Sequence, residues 1–137
     1  MDIVFSANNR EEILKLPIVP PDLTWDSPQT NETFDTIQQG ELNLIGLKGL
    51  VSFSISSFFP MKRYPFAKSA VLGNQAVTFF EKWRKKRVPI RVVITNKKGQ
   101  ELLNLAITID NFTHGFDQAG DIQFTLDIKE YRFPRVT

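Results

Sequence analysis

Cysteine is absent from the chain, which removes disulfides, thiolate metal sites and thiol nucleophiles together. The absence suits a reducing cytoplasm. Histidine occurs once, at His114, and zinc needs three or four ligands, so only carboxylates remain to complete a site around it. Imidazole titrates near neutrality and suits a general base, but a lone histidine between Thr113 and Gly115 reads as an exposed loop residue. There is no Gly-x-Ser-x-Gly elbow and no phosphate-cradling glycine loop. The first residues, Met1-Asp2-Ile3-Val4-Phe5, lack the basic and long apolar regions of a secretory signal. The longest apolar runs fall far short of a membrane span. Charge of one sign is also scarce: 17 Lys and Arg against 15 Asp and Glu leave +2, too little to argue for stable nucleic-acid binding.

What is present is apolar bulk. Hydrophobic residues make up 42% of 137, and twelve of the aromatics are Phe, which carries large area and no polar handle. That much Phe must be covered, inside the molecule or against neighbours. The length fits a single domain over residues 1–137.

The first half is extended in character. Leu16-Pro17-Ile18-Val19-Pro20-Pro21 is excluded from a helix interior by its prolines, and a short strand from Asp22 to Asp26 follows. Thr33 to Ile45 reads as one long strand with Phe34, Thr36, Gln38, Gly40, Leu42 and Leu44 on one face. Gly46-Leu47-Lys48-Gly49 supplies a turn with glycines free to take positive φ. Val51, Phe53 and Ile55 then alternate with Ser52, Ser54 and Ser56, the period-two signature of a sheet with one buried face. The prediction is a long hairpin from Thr33 to Phe58.

After a loop over Met61 to Gly73 the period changes. Ala76, Phe79, Phe80 and Trp83 form one helical stripe within a helix over 75–86, with Asn74 as N-cap and Val88-Pro89 as the stop. Ile90 to Thr95 is a strand apolar on both faces, and Asn96-Lys97-Lys98-Gly99 is a hairpin turn. Two further strands alternate through Leu103 to Ile109 and Ile122 to Ile128, separated by a loop over His114 to Gly120. A parity switch at Tyr131 and Phe133 predicts a bulge or a change of packing partner near Lys129-Glu130. The fold class expected is mainly β, a β-sandwich or partial barrel with a long hairpin and one amphipathic α-helix.

Chemistry is thin. Asp110 and Asp127 would make a glycosidase-style pair if they faced each other, but acidic residues on wet strand faces are far commoner. The cluster Lys82, Arg84, Lys85, Lys86 and Arg87 is explained by the helix dipole and by solubility better than by phosphate binding. No catalytic, metal or cofactor site is expected. What remains is surface made to be covered: from Leu42 to Pro60 the only charge is Lys48, and long uncharged edges invite pairing with other chains. That points to an oligomer in which neighbours complete the sheet.

Several segments resemble a known family: Leu16-Pro17-Ile18-Val19-Pro20-Pro21, Gly40-Glu41-Leu42-Asn43-Leu44-Ile45-Gly46, Ser54-Ile55-Ser56-Ser57-Phe58-Phe59-Pro60, Glu81-Lys82-Trp83-Arg84, Pro89-Ile90-Arg91 and Leu126-Asp127-Ile128-Lys129-Glu130-Tyr131-Arg132. In order and spacing they are similar to the N-terminal domain of the LysM-containing tail or baseplate proteins of phages and phage-like elements of Gram-positive bacteria. The resemblance implies a tail-tube-like fold and a homo-oligomeric, six-fold ring that adapts the tail tube to the hub, beside the tape-measure protein. It implies no enzyme, no cofactor and no membrane, with DNA at most passing through a lumen, and a place in the virion tail or baseplate assembled in the host cytoplasm. Members continue into a LysM module that this sequence does not contain, so peptidoglycan binding is not carried over. The interface residues expected are Phe34, Thr36, Gln38, Leu42, Leu44, Ser52, Ser54, Ser56 and Phe58. The competing expectation is a cell-wall or carbohydrate-binding β-sandwich module, with Trp25 and Tyr64 as its exposed aromatics.

Overall fold

The computed structural model describes residues 1–134. Nine strands and one helix follow in order: β1 (Asp2–Ala7), β2 (Glu12–Lys15), β3 (Trp25–Asp26), β4 (Glu32–Thr36), β5 (Gly40–Leu44), β6 (Ser52–Phe59), α1 (Gly73–Lys85), β7 (Ile90–Thr95), β8 (Glu101–Phe116) and β9 (Ile122–Glu130). Seven of them form one antiparallel sheet in the order β2-β1-β7-β8-β9-β6-β3, while β4 and β5 pair only with each other. The mainly β class with one helix is as expected, and the sheet stays open instead of closing into a barrel.

The sheet curls around α1. Ile3 and Phe5 of β1, Val92 and Ile94 of β7, Ile107 and Phe112 of β8, Phe124 and Leu126 of β9, and Ile55 and Phe59 of β6 all face one buried core. Phe80 sits at its centre, with ring centroids 5.1 Å from Phe5, 5.2 Å from Phe79, 5.5 Å from Phe112 and 6.2 Å from Phe59. Phe59 also stacks on Phe124 at 3.9 Å. Edge-to-face and stacked pairs of this kind add to the burial of the rings themselves. Ala76, Phe79, Phe80 and Trp83, the predicted stripe, form the buried face of the helix.

Several expectations are corrected. Residues 33–45 are not one strand: the chain reverses at Ile37-Gln38-Gln39, and β4 returns as β5 with Phe34 opposite Leu42 and Thr36 opposite Gly40. The partner of β6 is therefore β9, along the whole length from Ser52–Lys129 to Phe59–Ile122. The extended stretch from Asp22 shrinks to Trp25–Asp26, which pairs with Phe53 and Ser52. The hairpin of β1 and β2, with no counterpart in the sequence reading, forms through Asn8, Asn9 and Arg10 at φ of 51°, 55° and 66°.

The glycines at 46 and 49 are not at positive φ; closeness is their reason. A Cβ on Gly46 would collide with the Thr30 carbonyl oxygen, and one on Gly49 would lie 2.9 Å from Pro28 Cγ. The helix starts at Gly73 with Leu72 in the cap position, not at Gln75 after Asn74, and the Leu72 N–H donates to Gln75 Oε1 at 3.0 Å. The bulge lies on β8, between Ile109 and Asn111 and opposite Ile128 and Asp127 of β9, and not at Lys129-Glu130. There the inward parity passes from odd (Ile107) to even (Phe112), and the strand passes from β7 to β9 as its main partner. His114 lies on that extended strand, not in a loop. It is exposed and packs on Phe112 at 4.7 Å.

Candidate assembly surface

Between β3 and β6 the chain leaves the body as an arm from Pro28 to Gly49. Its root is laced by backbone bonds, Gly49 N to Pro28 O at 2.8 Å and Thr30 N to Leu47 O at 3.0 Å. Side chains add to this: Gln29 Nε2 donates to Gly46 O at 3.0 Å, and Asn31 Oδ1 accepts from Gly46 N at 2.9 Å. The Arg132 guanidinium donates to Lys48 O at 3.0 Å and Gly49 O at 2.8 Å, tying the root to the chain just after β9. The tip is closed by Thr36, whose Oγ1 donates to Gly40 O at 2.9 Å and accepts from Gln39 N at 3.0 Å. Gly40 takes φ +75°, the left-handed position that only glycine holds without steric cost.

Because the loop between Thr36 and Gly40 holds three residues, even-numbered positions keep one face through the reversal. Phe34 and Leu42 sit opposite each other there, with Thr36, Gly40 and Leu44 beside them, as the sequence pattern predicted. The other face carries Asp35 directly opposite Glu41, beside Thr33 and Asn43. Phe34, Ile37, Leu44, Ile45 and Leu47 are all exposed, Ile37 completely. Gln38 is at the tip.

The other expected interface residues lie on the body. Ser52, Ser54 and Ser56 share the outer face of the sheet, where Ser54 Oγ donates to Asp127 Oδ1 at 2.7 Å and Ser56 Oγ lies 3.1 Å from Thr125 Oγ1. Phe58 is half-buried under the loop that follows β6, its ring 6.1 Å from Tyr64. The nine residues thus form two groups, one on the arm and one on the sheet.

Asp110 and Asp127 line one open depression with Asp26 and Ser54, but they are not a cross-strand pair. Asp127 is opposite Asn111, and Asp110 is the bulged residue, accepting from Thr108 Oγ1 at 3.0 Å. No cluster of three or more His, Asp or Glu placed to hold a metal occurs among the described residues. No helix among them is long and apolar enough to cross a membrane. Trp25 is part-exposed on β3, while Tyr64 stacks on Phe66 at 5.1 Å in the loop after β6. Tyr64 belongs to a polar node that the sequence reading missed. Buried Asp121 accepts from Met61 N at 2.9 Å and from Tyr64 Oη at 2.6 Å. The Met61 N–H and then the tyrosine hydroxyl hold the Asp121 carboxyl below its ordinary value. The same hydrogen bond pushes Tyr64 up to about 12.

Arg84, Lys85 and Arg87 of the basic cluster wall a groove of about 590 Å³ between the end of α1 and β8, with Val88, Thr108 and Tyr131 around it. Lys82 pairs with Glu12 at 2.8 Å and Arg84 with Glu81 at 3.1 Å. Lys85, Lys86 and Arg87 have no ion-pair partner among the described residues. Lys86 lies over the Trp83 ring, 4.5 Å from its centroid.

No family model matches the chain. It is 30% identical over 132 residues to the uncharacterized protein YqbP of Bacillus subtilis (strain 168), covering 93% of this chain and 58% of that protein's length. Among solved structures it superposes on a chain from the tail of an empty GTA particle of C6 symmetry, with a TM-score of 0.56 and 12% identity over 99% of this chain and 95% of that one. A chain of the anti-feeding prophage baseplate superposes with a TM-score of 0.48 and 12% identity over 96% of this chain and 89% of that one. The chain shares its fold with the GTA tail subunit.

Proposed function

We propose that the chain is a structural subunit of a phage or phage-like tail, acting over residues 1–137 as one tail-tube-like domain. In this reading it forms a six-fold ring at the tube–baseplate junction and adapts the tail tube to the hub. The observation that carries the reading is the arm. A two-stranded hairpin without a third strand or a helix against it is marginal in water, yet this one presents Phe34, Ile37, Leu44, Ile45 and Leu47 to solvent. Such a surface makes physical sense when other chains cover it. The fold shared with a subunit of a C6-symmetric tail supports a ring as the form that cover takes. The arm residues Phe34, Thr36, Gln38, Leu42 and Leu44 then contact neighbours, and Ser52, Ser54, Ser56 and Phe58 line a second contact or the lumen.

The test is to image particles from a producer carrying a tagged copy of the gene. Density for the tag in a single ring where tube meets baseplate is the expected result, with unattached tubes and baseplates when the gene is deleted. Tag density repeated along the entire tube, or none in mature particles, rejects the adaptor role.

A further inference from the structure

The arm and the groove at the end of α1 are complementary in charge. Residues 28–49 hold Glu32, Asp35 and Glu41 against Lys48 alone, so they carry −2 in a chain of net +2, leaving +4 on the rest. Asp35 and Glu41 face each other directly across the hairpin, an arrangement that costs stability unless cations lie nearby. The groove offers them: Lys85 and Arg87 stand on its wall without ion-pair partners among the described residues, with Lys86 beside them. The dipole of α1 accounts for positive charge in its last turn, but it does not account for Lys85 and Arg87 standing unpaired among the described residues on the wall of an open groove. From Pro28 to Ile37 the arm extends about 30 Å at the rise of a strand, enough to reach a neighbouring subunit.

From this juxtaposition we infer that the arm of one copy docks in the α1–β8 groove of the next copy. Its face with Asp35 and Glu41 lies against Lys85, Lys86 and Arg87, and the Phe34–Leu42 face turns away from the groove. The inference rests on the ring reading and specifies which surfaces of adjacent copies meet.

The absence of native cysteine makes the contact directly testable. An Ile37→Cys protein is mixed under mild oxidation with Thr108→Cys, on the groove wall, or with Asn74→Cys, at the opposite end of α1. Mass measurement at the same concentrations reports self-association. The expected result is a 37–108 cross-link about tenfold more abundant than 37–74, as a high local concentration produces. The cross-link should fall when Glu32, Asp35 and Glu41 of the arm protein are changed to Lys. It should return when the groove protein carries Lys85→Glu, Lys86→Glu and Arg87→Glu. Equal yields at 108 and 74 overturn the arm-to-groove contact: if the mass still shows oligomers, the ring reading stands without it, and if the chain stays monomeric, the second copy is excluded as the occupant. Failure of the charge exchange to restore the cross-link rejects the electrostatic pairing even where 37–108 forms.

Discussion

The body and the arm of this protein are built on opposite terms. In the body, every strand of the seven-stranded sheet has a partner, and the inward side chains meet around Phe80. In the arm, two strands share one ladder, and the large side chains meet water. The distribution of phenylalanine shows the division. Phe5, Phe53, Phe59, Phe79, Phe80, Phe112 and Phe124 are buried in the body and Phe34, the one phenylalanine of the arm, is exposed, while Phe66, Phe116 and Phe133 are exposed at loops and a strand end of the body. The body contains its own hydrophobic driving force, and the arm leaves its apolar side chains open to solvent, where the proposed neighbours would cover them. Stability and assembly are therefore separable by mutation.

The largest effect expected falls in the body. Phe80→Ala removes a ring that touches four others and leaves a cavity, which costs about 3–5 kcal/mol. For a domain of this size that is a large part of the total, so urea denaturation should show a midpoint shifted far down or no folded baseline at all. A midpoint close to wild type would mean that the aromatic cluster does not hold the body together.

A smaller effect is expected at the node that fixes the loop after β6. Asp121→Asn leaves Met61 N–H and Tyr64 Oη with a weaker acceptor in a buried place, at a cost of about 1–3 kcal/mol. The pH dependence has a definite sign. The folded Asp121 carboxyl titrates below its ordinary value of 3.8, so its contribution is full above that value and is lost as pH falls through the lower, folded one. Wild-type stability should drop in acid, below about pH 4, and Asp121→Asn should flatten that part of the profile while leaving the curve above it parallel. An unchanged acid limb would show that other carboxylates set it.

Local alternation made the body legible in the sequence, and chain reversal made the arm partly illegible. The strand at Ser52–Phe59, the stripe of α1 and the turn at Asn96–Gly99 are all short-range patterns, and they stand where the sequence places them. The β4–β5 turn is different. Gln38-Gln39-Gly40 lacks the Asn-Gly or Asp-Gly signal of a two-residue turn, and Thr36 and Gly40 are four residues apart, so alternation runs through the reversal with its parity intact. The faces came out right and the strand count wrong. The choice of β9 over residues 33–45 as the partner of β6 is a long-range pairing, and no residue near β6 specifies it. The Asp121 node was hidden for the same reason: Met61 and Tyr64 lie about sixty positions away in sequence.

The smallest expected change in stability is the most telling for the division between body and arm. Phe34 is 42% exposed and stands opposite Leu42 on the ribbon. Its replacement by Ala removes one cross-strand pair worth about 0.2–1 kcal/mol, and nothing in the sheet body leans on it. The denaturation midpoint of Phe34→Ala should stay within about 1 kcal/mol of wild type. Hydrogen exchange then separates the roles of the two regions. Amides of β4 and β5 in the isolated protein should exchange quickly, because a lone hairpin opens easily, and in the assembled particle they should become as slow as those of β9. Phe34→Ala should abolish that protection while leaving β9 unchanged. Fast exchange in the arm of wild-type particles would mean that no neighbour covers it, and slow exchange in the isolated chain would mean that the body supports it after all.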